Sequence, residues 1–74
     1  MNQYITGNTI KSLREKQKMT QAELAQLLCV SDKTISKWET GRGFPDISFL
    51  EPLAKILKVS VFSIVAHLLN LVIQ

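Results

Sequence analysis

Ser31, Asp32, Lys33, Ser36 and Lys37 place five polar or charged side chains within seven residues. Lys33 and Lys37 are four apart, so on a helix they share one face and can enter one groove of a duplex together. Lysine donates to guanine O6 and N7, and aspartate accepts from cytosine N4. Asp32 is the odd member. An acid beside phosphate costs affinity, so it belongs at a base edge or at a helix N-terminus, where the dipole favours it. Bond-breaking chemistry has no comparable support. One histidine (His67), one cysteine (Cys29) and scattered acids supply no nucleophile–base pair, no phosphate-cradling loop and no cluster of metal ligands. The expectation is a protein that is not an enzyme and holds no cofactor and no metal.

The charge is unevenly spread. Nine Lys and Arg against six Asp and Glu give +3, and residues 1–45 hold seven of the bases and four of the acids. Residues 46–74 hold two of each and are neutral. A cationic half fits a polyanionic partner. Seventy-four residues allow one small domain with a modest core. A lone cysteine cannot close an internal disulfide, and MNQYITGNTIKSL lacks the apolar stretch of a signal peptide. A cytoplasmic, reduced protein is expected.

The elements that must position the polar cluster are helical, since helical period runs throughout and no strand-like alternation persists. Asn8 or Thr9 is expected to cap a first helix running to about Lys18, with Ile10 and Leu13 inward. Thr20 with Glu23 makes a capping box that opens a second helix, whose inward stripe is Leu24, Ala25 and Leu28. Ser31 caps a third, with Ile35 and Trp38 apolar and Lys33, Ser36 and Lys37 outward; Gly41 and Gly43 stop it. Pro45 and Asp46 introduce a fourth helix carrying Ile47, Leu50, Leu53, Ala54 and Leu57. Pro52 delays its regular part to about Leu50, leaving 46–49 as a looser turn. Ser60 caps a fifth.

Residues 21–39, QAELAQLLCVSDKTISKWE, therefore form two short helices around a turn of about four residues. In that geometry one helix crosses a DNA backbone and the next, 32–39, lies in the major groove. Ala25 is the small residue where the helices touch, and Leu24, Leu28, Val30, Ile35 and Trp38 pack around the turn. Trp38 falls in phase with Ile35 and reads as core, not as a base-stacking ring.

The chain resembles the helix-turn-helix family of phage lambda-type repressors and Cro, also called the xenobiotic-response-element family, over residues 8 to about 62. The landmarks are Thr20-Gln21, Leu24-Ala25, Val30-Ser31, Ile35-Ser36-Lys37-Trp38-Glu39, Phe44-Pro45-Asp46 and Leu53-Ala54-Lys55-Ile56-Leu57. The resemblance implies an all-α fold, a compact five-helix lambda-repressor-like DNA-binding domain. It also implies a sequence-specific transcriptional regulator, a repressor, whose partner is double-stranded DNA. By the same resemblance Gln21 would contact a phosphate and brace the third helix. Asp32, Lys33 and Lys37 would reach base edges, with Ser31 and Ser36 at phosphates or bases. Thr40, Gly41 and Arg42 would offer backbone amides and a cation to a phosphate. Arg14 and Glu39 would pair and tie the first helix to the end of the third. Lys11, Lys16 and Lys18 are equally readable as phosphate contacts or as a solvated face.

Two departures stand out. The family usually has glycine at position 29, where the turn is left-handed; Cys29 there implies an intact turn with a strain of about 1 kcal/mol. After Ser60, relatives continue with acids, whereas this chain reads Val61-Phe62-Ser63. Residues 59–74 hold no charge and eleven apolar residues, too few for a membrane span, which takes roughly 20. Without Lys or Arg they also lack what a membrane-surface helix needs. The chain thus divides into a helix-turn-helix domain, 1–60, and an apolar C-terminal helix, 61–74, expected to associate. Val61, Val65, Leu68 and Val72 form one helical stripe, with Ile64, Leu71 and Ile73 off it. A homodimer through that stripe is expected; the alternative is an antitoxin-type or other protein-interaction module that uses the same tail.

Overall fold

Two hydroxyl caps set where the central pair of helices begins. The computed structural model describes the backbone of residues 3–68 and the side chains of residues 7–66. In it Thr20 Oγ1 accepts the Glu23 amide at 3.0 Å while Glu23 Oε1 accepts the Thr20 amide at 2.8 Å. This reciprocal box opens α2, Gln21–Leu28. Ser31 Oγ accepts the Thr34 amide at 3.2 Å and opens α3, Asp32–Glu39, with Asp32 in its first turn. Between them Cys29 is left-handed at φ 59 and ψ 40, as expected, and its amide and that of Val30 close the end of α2.

The first helix departs from expectation. α1 spans Gln3–Lys16, so Asn8 and Thr9 are interior positions and not caps. Gly7 is about 1 kcal/mol less favourable in a helix than alanine, which hides this turn from a propensity reading. Tertiary packing overrides it: Gly7 is buried against the last residues of α3. Lys18 lies beyond the helix and is left-handed at φ 59.

After α3 a 3-10 turn, Ile47–Phe49, precedes α4, Leu50–Leu57. Asp46 Oδ2 accepts from the Ser48 amide at 3.1 Å and from its hydroxyl at 2.8 Å, and these bonds hold the carboxyl below its ordinary value. Pro52 is the third residue of α4, where an amide has no intrahelical acceptor in any case. Ile47 does not face inward with α4 as expected; it is 80% exposed. Phe49 takes the inward place, its ring 5.4 Å from that of Trp38. Ser60 Oγ accepts the Ser63 amide at 3.0 Å and opens α5, Val61–Leu68.

Leu24, Ile35, Leu53 and Leu57 from α2, α3 and α4 are the largest fully buried side chains. Ile10, Ala25, Leu28 and Trp38 complete that cluster. Ile64 docks α5 against Leu50 and Ala54 in a second cluster. All elements among the described residues are helical, which is the five-helix lambda-repressor-like arrangement.

Candidate nucleic-acid interface

The outer side of α3 carries a shallow recess lined by Lys33, Ser36, Lys37, Thr40 and Arg42. The helix sets the first four on one side by their spacing of three and four; Gly41, at φ 76, turns the chain so that Arg42 joins them. Lys33, Lys37 and Arg42 are exposed, and Ser36 is half-buried. Among the described residues the only ion pair is Arg14–Glu39, so these three cations meet no carboxylate. Ser31 and Asp32 are exposed at the N-terminal end of the same helix. Ser31 Oγ lies 3.1 Å from Thr34 Oγ1, a hydroxyl pair that spacing alone did not reveal.

At the C-terminal end of α3 the ion pair is buried. Arg14 Nε donates to Glu39 Oε2 at 2.7 Å and Nη2 to Oε1 at 3.0 Å. Its remaining nitrogen, Nη1, donates to the Met19 carbonyl at 2.7 Å, an acceptor that sequence reading missed. The hydrogen bond to Glu39 raises the guanidinium above its ordinary pKa against the opposing effect of burial. Gln21 Nε2 donates to Glu39 Oε1 at 2.9 Å, so the start of α2 braces the end of α3. α1, α2 and α3 are thus tied at one carboxylate.

One expectation at this site is corrected. The amides of Thr40, Gly41 and Arg42 do not point outward for a phosphate. They donate to Ser36 O at 3.0 Å, Trp38 O at 3.3 Å and Lys37 O at 2.9 Å, and so finish α3. Thr40 Oγ1 likewise donates to Ser36 O at 2.8 Å. What this corner offers an anion is the Arg42 guanidinium, with Gly41 serving the turn. Among the described residues no group of His, Cys, Asp and Glu could hold a metal, and no helix is long and apolar enough to cross a membrane. Val61 and Phe62 are exposed and Val65 is half-buried; Leu68 has a described backbone only, and Val72, Leu71 and Ile73 lie outside the described residues.

The helix-turn-helix family model matches residues 10–64. The chain belongs to the lambda-repressor/Cro-like helix-turn-helix family. The chain is 38% identical over 52 residues to the HTH-type transcriptional activator BcrR of Enterococcus faecalis, a match covering 70% of this chain and 26% of that relative. It therefore spans about a quarter of BcrR. Among solved structures it resembles the P22 c2 repressor in complex with a synthetic operator, at TM-score 0.75 and 33% identity, covering 81% of this chain and 91% of that one. It also resembles the clp gene regulator ClgR of Corynebacterium glutamicum, at TM-score 0.79 and 25% identity, covering 90% and 71%. As a helix-turn-helix chain it has α2 as the bracing helix and α3 as the one that carries the exposed Lys33 and Lys37.

Proposed function

We infer that this chain binds double-stranded DNA sequence-specifically, with α3 in the major groove, and serves a cytoplasmic transcriptional regulator that represses. The observation that carries the reading is the recess of α3, where Lys33, Lys37 and Arg42 stand together without a carboxylate partner. Lys33, Lys37 and Asp32 would read base edges, Ser31 and Ser36 would contact phosphates or bases, and Gln21 and Arg42 would hold phosphates. Repression is favoured by the likeness to the P22 c2 repressor, which extends over 91% of that chain. The test is selection from a random duplex pool. Enrichment of one motif supports the reading, and a pool that stays random rejects it.

The chain would act as a homodimer joined through Val61, Val65, Leu68 and Val72. Supporting this, Ile64 occupies the inward face of α5 while Val61 is 42% and Phe62 80% exposed, an apolar surface of the kind that marks association. A two-fold dimer would select an inverted repeat with half-sites about one helical turn apart. Leu68→Glu with Val72→Glu should give a monomer of unchanged helical content. A parent chain that sediments as a monomer at high micromolar concentration rules the dimer out.

A further inference from the structure

We propose that Gly7 is a positioning residue for DNA readout: the gap it leaves sets the angle at which α3 is presented. The proposal rests on the DNA-binding reading above. Gly7 is buried within α1, eight residues before Glu15 and far in sequence from the polar cluster. A Cβ built there would overlap the Trp38 carbonyl oxygen and lie 3.0 Å from both C and Cα of Glu39. Every one of these atoms is backbone, so no side chain can swing aside to make room. Trp38 and Glu39 are the last two residues of α3, both are buried, and Glu39 also takes the Arg14 and Gln21 bonds. The N-terminal half of α3 is held separately, by Ile35, which is fully buried in the main core cluster.

A methyl at position 7 forces one of the two backbones to shift, and on this proposal the C-terminal end of α3 lifts while the half anchored by Ile35 stays in place. Restoring ordinary van der Waals distance from the Trp38 carbonyl oxygen takes a movement of at least about 1.3 Å. Over a helix about 12 Å long that is a tilt of about 6°. Lys37, next to Trp38 at the displaced end, moves; Lys33, two residues before the anchored Ile35, does not. Helix propensity by itself would favour alanine at position 7, so loss on substitution is a signature of the tertiary seat.

The experiment is a titration of the full chain and Gly7→Ala against the duplex selected from the random pool and a scrambled duplex, below the melting temperature of both proteins. Discrimination between the duplexes should fall about tenfold, within the span of one lost base contact. Gly7→Ala should be non-additive with Lys37→Ala and additive with Lys33→Ala. A packing role alone would lower the melting temperature but leave discrimination unchanged, or add equally to both lysine variants, and either result overturns the proposal. If Gly7→Ala does not fold, the same titration is made with Lys58→Gly added, which relieves a left-handed lysine at φ 60 after α4. A chain unfolded in both backgrounds also overturns it, because the gap then holds the fold together and does not aim the helix. A parent chain without preference sinks the DNA reading instead. The seat of α3 is then read from the emission of Trp38, the single tryptophan: shifted in Gly7→Ala if the helix moves, unchanged if the proposal is wrong.

Discussion

Arg14 and Glu39, 25 residues apart in sequence, meet side by side with two parallel hydrogen bonds in the interior of the domain. The pair is nearly closed to solvent, at 7% and 6% exposure, so removing one partner strands the other in a poor dielectric. Glu39→Ala should cost roughly 3–5 kcal/mol, because Arg14 loses both bonds and Gln21 loses its brace. Glu23→Ala, at an exposed cap, should cost about 1 kcal/mol. Thermal melting of the two variants checks this; equal losses would mean that the buried pair contributes no more than a surface cap.

Much of the fold was legible because local chemistry marked it. Thr20, Glu23, Ser31 and Ser60 begin helices where hydroxyl capping requires, and Pro52 delays α4 as its missing amide requires. What escaped was set by contacts distant in sequence. The early start of α1 depends on Gly7 meeting Trp38 and Glu39, and the inward turn of Phe49 depends on Trp38. At the site, residue types revealed the cations but not the fate of the Thr40, Gly41 and Arg42 amides, which depends on how α3 ends.

Cys29 and Lys58 occupy left-handed positions at φ 59 and φ 60, where an L side chain costs roughly 1 kcal/mol. Cys29→Gly and Lys58→Gly should each stabilise the domain by about that amount, raising Tm by about 4–8 °C. Differential scanning calorimetry reads both. A fall in Tm for Cys29→Gly would show that the cysteine contributes packing that outweighs its strain.

Arg42 is the cation at the corner where the amides are spent. Arg42→Ala should reduce the slope of log affinity against log salt by about one unit and leave the selected sequence unchanged. Repeating the pool selection at two salt concentrations measures both. An altered motif would place Arg42 on a base.

On the proposed function, α3 reads base edges through Lys33 and Lys37. Fluorescence titration of Lys33→Ala and Lys37→Ala against the selected duplex and a scrambled one, at a single salt concentration, tests it directly. Each variant should lose about 1–3 kcal/mol on the selected duplex and much less on the scrambled one. Equal losses on the two duplexes would contradict the claim, reducing both lysines to phosphate contacts and leaving α3 outside the readout.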